Sequence, residues 1–121
     1  MCTAFEIPAL HFDLWTYYGE QPFVFMKMPL WWGIVNPIAI LGPAFAYHKL
    51  GPHLHGWRVL IGIPLMGMAL TGSHAVAVLP VATTLNMPYG QPVTMLGALG
   101  SLIVTMILCW IFFNVSNKHA A

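Results

Sequence analysis

Three apolar runs dominate this chain: Pro29 to Tyr47, Trp57 to Pro80, and Val93 to about Phe113. Within them the only Asp, Glu, Lys or Arg is Arg58, at the edge of the second run. A helix rising 1.5 Å per residue needs roughly 20 apolar residues to cross a hydrocarbon layer. Backbone in that layer must satisfy its own N–H and C=O groups, which excludes open sheets and favours helices. The predicted fold is therefore an all-α integral membrane domain of residues 1–121. It has three transmembrane helices at about 29–47, 57–80 and 93–113, preceded by an aromatic interfacial segment over 1–28. Hydrophobic residues make up 59% of the chain and charged residues 6%, too little polar surface to cover a soluble globule.

Charge excludes some functions and orients the chain. Four Lys or Arg against three acids leave a formal charge of +1, which argues for no nucleic-acid partner. Glu6, Asp13 and Glu20 all precede the first run, whereas Lys49 and Arg58 flank the first loop and Lys118 follows the third run. Basic residues concentrate on the cytoplasmic side, so the expected threading in a bacterial inner (plasma) membrane is N-terminus outside and C-terminus in the cytoplasm. MCTAFEIPALHFD has no basic stretch followed by an apolar one, so the first span is expected to serve for targeting. Cys2 and Cys109 lie at different expected depths, and no CxxC pair occurs; no disulfide is expected.

The segment ahead of the first run holds nine of the sixteen aromatic residues within 32 positions, a composition suited to the headgroup layer. Gly19 and Pro22 interrupt it on either side of Glu20 and Gln21. The first span carries Pro37 and Pro43, each of which removes a backbone hydrogen bond, so a break near Asn36 is expected. Small residues spaced four apart, Ala69 with Ser73 and Gly97 with Ser101, predict close helix packing.

Counting from the outer ends of the spans places Asn36 roughly 10 Å deep, His74 roughly 9 Å and Ser101 roughly 12 Å. Together with Ser73 they form one expected polar layer beneath Asp13, Tyr17, Tyr18 and Glu20. In that layer Glu20 or Asp13 with His74 makes a candidate acid–base couple, because an imidazole can exchange a proton with a carboxyl among apolar rings. Tyr17, Tyr18, Trp31, Trp32, Asn36, Ser73 and Ser101 are the candidate substrate-lining residues. Each has a plainer reading. His74 can be a neutral helix-bridging group, Glu20 a surface-turn acid beside Lys27, Asp13 a solvated acid or helix cap, and the Trp pair an interface anchor.

His48, His53 and His55 do not match a zinc spacing, and a single intramembrane histidine cannot ligate haem from two sides. No metal and no cofactor is expected. Asn114-Val115-Ser116 has the form of a glycosylation sequon but falls at the expected cytoplasmic edge. GxSxG, P-loop, GxGxxG, HExxH and DxxD patterns are missing, which argues against common hydrolase and nucleotide chemistry.

YYGEQPF followed by PLWWGIVN resembles a tract of uncharacterised bacterial multi-pass membrane proteins, in which an acidic aromatic turn leads into a Trp-bearing helix. The resemblance covers roughly twenty residues and implies membrane location without implying an activity. Those proteins have more helices, so it also implies that this chain is the C-terminal part of a longer protein or a reduced version that must associate.

Three spans enclose little space by themselves. The first expectation is thus a small polytopic subunit or homo-oligomer, with membrane lipids and other membrane subunits as partners. One alternative is a membrane enzyme working by acid–base chemistry on a lipid or isoprenoid-like substrate at the outer leaflet. The other is a transporter or channel component built around the broken first helix.

Overall fold

The computed structural model describes residues 2–117. Helix α1 (Cys2–His11) is followed by a two-stranded hairpin, β1 (Val24–Phe25) and β2 (Met28–Pro29). Helices α2 (Leu30–Val35), α3 (Ile38–Leu50), α4 (Val59–Leu85) and α5 (Gln91–Asn117) follow. Three continuous helical stretches are long and apolar enough to cross a membrane: Leu30–His53, Gly56–Leu85 and Gln91–Asn117. The fold is all-α with three spans, and each span outruns the boundaries expected from the sequence.

Proline explains both the expected break and one that does not occur. Pro37 has no N–H to continue the ladder, so α2 ends at Asn36, whose N–H still reaches the Trp32 carbonyl at 2.8 Å. Tighter bonds from Ala39 N–H to Asn36 O and from Ile40 N–H to Pro37 O, both 3.0 Å, then restart the chain as α3. Pro80, expected to close the second span, lies inside α4, which runs on to Leu85. The hydroxyls of Thr83 and Thr84 both donate to the Pro80 carbonyl, at 2.8 and 3.2 Å, and the surrounding turns keep their helical bonds.

Helix α4 lies between the other two spans and is locked to each by a serine opposite a glycine or a backbone amide. Ser73 Oγ donates to the Ile38 carbonyl of α3 at 3.1 Å. A Cβ added to Gly42 there would stand 2.7 Å from the Ala69 carbonyl oxygen. On the other flank the Val81 N–H donates to Ser101 Oγ of α5 at 3.1 Å. A Cβ on Gly97 would lie 2.9 Å from the Pro80 carbonyl oxygen. These approaches enclose a core of Trp31, Val35, Ile38, Ala77, Val81 and Ala98.

The N-terminal segment forms its own cap on this bundle. Helix α1 ends in a Schellman motif: Leu14 N–H reaches Ala9 O at 3.0 Å and Asp13 N–H reaches Leu10 O at 3.3 Å, with Asp13 at φ 53°. The hairpin turns through Met26 and Lys27 at φ 49° and 64°, the positive pair that a two-residue turn requires. Leu10 of α1 and Met28 and Pro29 of β2 are buried. The stretch expected to lie as an interfacial strand or helix is therefore a helix, a loop and a hairpin folded together.

The glycine contacts make a paired prediction. Gly97→Ala should lower the thermal midpoint in detergent, corresponding to about 1–3 kcal/mol of overpacking. Gly72→Ala, whose added Cβ meets nothing within 4 Å in this chain, should be neutral or stabilising by up to about 1 kcal/mol in the detergent-isolated monomer. Equal midpoints for Gly97→Ala and the parent would contradict the α4–α5 packing described.

Candidate functional site

The acid that reaches the spans is Glu6. It sits on α1 one turn before buried Leu10, on the face turned toward the membrane helices. A single carboxylate oxygen, Oε1, accepts from Tyr17 OH at 2.9 Å and from Trp32 Nε1 at 2.8 Å. The second, Oε2, is buried and finds no partner among the described residues. Glu6 thereby joins α1, the loop after it and α2 at one atom.

Trp32 is the centre of the cluster. Its ring meets Tyr17, Trp31 and His74 edge to face, with centroids 6.1, 5.6 and 5.2 Å away, an arrangement favoured by the aromatic quadrupole. His74 comes from α4, so Trp32 touches groups from two spans and bonds a third element through Glu6. Trp31 Nε1 and His74 Nε2 are also buried without a partner among the described residues. Three side chains from α1, α2 and α4 that touch one indole thus each hold a buried polar atom without a partner among the described residues. The Trp31 indole can only donate, the ionised carboxylate can only accept, and a neutral imidazole can do either at Nε2.

Electrostatics outside the spans follow from these contacts. Burial pushes the Tyr17 phenol well above its ordinary range, and the hydrogen bond to Glu6, then the charge of that carboxylate, push it further. Asp13 goes the other way. Its hydrogen bond to Lys27, and then the charge of that ammonium, hold its carboxyl below the usual range. The Lys27–Asp13 pair is 2.6 Å long and exposed, so it contributes little to stability.

Of the expected site residues, the structure brings together Tyr17, Trp31, Trp32 and His74. Glu20 is exposed in a turn and lines a hollow with Leu85, Met87 and Thr94 at the α4–α5 connection, away from His74. Lys27, expected beside Glu20, pairs with Asp13 instead. Asp13 is a helix-ending residue, and Tyr18 is 86% exposed. Asn36 acts through its backbone at the α2–α3 break. Ser73 and Ser101 are structural, and they do not share a layer: their partners imply levels eight residues apart on α4, roughly 12 Å. The depth count started from Pro80, five residues short of the real helix end.

Glu6, which the sequence did not single out, is the acid that reaches Tyr17 and Trp32, whereas neither Glu20 nor Asp13 forms the expected couple with His74. The available signal was its setting in AFEIPAL, an acid between Phe5 and Ile7 with Leu10 one turn on. That pattern reads as an apolar helical face, whereas GEQP reads as a solvated turn.

The substrate-sized space lies elsewhere. A groove of about 540 Å³ opens between α3 and α5 near His48 and Ser116, at the far end of the bundle. A hollow of about 230 Å³ approaches the cluster only through Tyr17. Among the described residues no three His, Cys, Asp or Glu side chains gather as a metal site. Cys109 is a free thiol. Comparison of the chain with protein-family models, curated proteins and solved structures finds no match.

Two outcomes test the cluster. Glu6→Ala leaves the Tyr17 and Trp32 donors unpaired and should raise hydrogen exchange over residues 5–18, corresponding to about 2–4 kcal/mol of easier local opening; unchanged protection would contradict the Glu6 contacts. Tyr17 should ionise far above the other tyrosines, and Glu6→Gln should lower that value without restoring it to about 10, because burial is the larger cause. Its phenol pKa is raised on folding, so this contribution to stability is complete below about pH 10 and is lost as pH rises through the folded value. A spectrophotometric titration against Tyr17→Phe reads both effects.

Proposed function

We propose that this chain is a subunit of a membrane assembly, built by packing α4 against α4 of a second copy, without an independent catalytic activity. The supporting observation is the outer face of α4. Gly67, Thr71 and Ala75 are exposed at four-residue spacing with Gly72 beside them, and added Cβ atoms on Gly67 and Gly72 would meet nothing within 4 Å. Glycine inside a helix costs about 1 kcal/mol relative to alanine, and no contact within this chain requires it at these two positions. Small residues at this spacing let helices from different chains approach closely. The same helix has the least buried apolar window of the three spans, 6% against 22% for each of the others.

The proposed location is the bacterial plasma membrane, with α1 and the hairpin outside and the α3–α4 connection inside. Lys49 and Arg58 at that connection support this threading; Lys118 lies outside the described residues. The acid–base alternative needs Glu20 and His74 in one pocket, and they occupy separate surroundings. The transport alternative needs a polar route through the lower half, where the groove of about 540 Å³ is walled by aliphatic and aromatic side chains.

Oxidative cross-linking tests the assembly. In a Cys2→Ser, Cys109→Ala background, Ala75→Cys in native membranes should give a disulfide-linked dimer, since a disulfide needs Cβ atoms about 3.8 Å apart. Ile103→Cys, on the exposed face of α5, should not. Gly67→Leu should suppress the Ala75 cross-link. A chain that stays at 13.4 kDa with every α4 cysteine would refute the proposal.

A further inference from the structure

At the end of the bundle away from the Glu6 cluster, a groove of about 540 Å³ lies along α3 and α5, within the size range of small-molecule sites. Leu41 and Phe45 of α3 and Phe112 and Phe113 of α5 line it, with His48 and Ser116 at its rim. Phe45 and Phe112 stack with centroids 4.7 Å apart and planes 15° from parallel. The walls are apolar, and the polar rim lies in the last turns of α3 and α5. That is the depth at which a membrane helix passes from acyl chain to headgroup. Leu41 is seven residues before His48, so the walls run roughly 10 Å inward from the rim.

Charge says what kind of head belongs at the rim. No Asp or Glu occurs after residue 20, and the one ion pair among the described residues, Asp13–Lys27, is in the N-terminal cap. Lys49, adjacent to His48, donates to the Val115 carbonyl at 2.7 Å and stands 6.0 Å from the Phe45 ring centroid. It therefore reaches from α3 across to α5 at the groove's rim. Its partner there is a neutral carbonyl, no acid among the described residues pairs with it, and an ammonium has three N–H groups to donate. Arg58, in the following turn, adds a second cation on this side.

We propose that this groove binds an anionic phospholipid. One acyl chain lies along Leu41, Phe45 and Phe112, and the phosphate is held at the rim by Lys49, His48 and Ser116. The site is separate from the α4 face and does not depend on the oligomeric reading.

Native mass spectrometry of the full-length protein with equal amounts of phosphatidylglycerol and phosphatidylcholine of identical chains tests it. One phosphatidylglycerol should be retained in preference. Lys49→Gln should cut that preference about 5-fold, the effect of one basic group at an anionic surface, while Lys49→Arg keeps it. Ala44→Trp, placing a large ring in the groove wall, should abolish retention of both lipids while circular dichroism stays unchanged. Glycerol 3-phosphate, which has the head without the chain, should not bind. Equal retention of the two lipids by the parent, or full retention by Ala44→Trp, overturns the proposal. So does a lipid-free dimer that Ala44→Trp dissociates, which would mean that a second copy fills the groove.

Discussion

The approach of α4 to its two neighbours is the constraint on which the rest depends. Ser73 bonds the Ile38 carbonyl on one side and Val81 bonds Ser101 on the other, with Gly42 and Gly97 clearing the space. In a membrane the apolar effect gives little drive for helices to associate, so side-chain hydrogen bonds and close backbone contact must do it. Both bonds here use groups that lie beside prolines or small residues. The prolines that interrupt these spans therefore coincide with the places where the spans meet, and the core of Trp31, Val35, Ile38, Ala77, Val81 and Ala98 fills the space so defined.

From that frame the N-terminal cap acquires its position. Trp32 follows core Trp31 on α2 and projects toward His74 and Glu6. One carboxylate oxygen then ties α1 and Tyr17 to the bundle, and its other oxygen, the Trp31 indole and the His74 imidazole remain unpartnered around the same ring. Buried polar atoms without partners are rare and costly. The two ends of the molecule differ in kind: acids, a paired lysine and the cluster at one end, Lys49 and Arg58 with no acid beside them among the described residues at the other.

Much of the architecture was legible because lipid leaves few choices. Run length and lack of charge located the three spans, and Pro37 located the break at Asn36. Pro80 misled because a proline removes only its own N–H bond, and α4 continues around it. That five-residue error displaced the depth scale, and counting along each helix separately could not show that Ser101 meets α4 at Val81, eight residues from Ser73. Glu20 misled for a different reason: closeness to the Trp pair in sequence says nothing about which way a GEQP turn faces, and here it faces the α4–α5 connection.

The sequence by itself determined class, span number and the polarity of the two ends, since these depend on transfer free energies that add along a chain. It also supplied Trp32 and three of the residues around it, Tyr17, Trp31 and His74, because tryptophan, tyrosine and an intramembrane histidine stand out in any apolar stretch. Which acid joins them was decided only by tertiary structure. Glu6 lies 26 residues from Trp32, and their meeting rests on how α1 folds back through its Schellman turn and the hairpin. The groove between α3 and α5 was likewise invisible in the chain, because two helices far apart in sequence line it together and no single run of residues does.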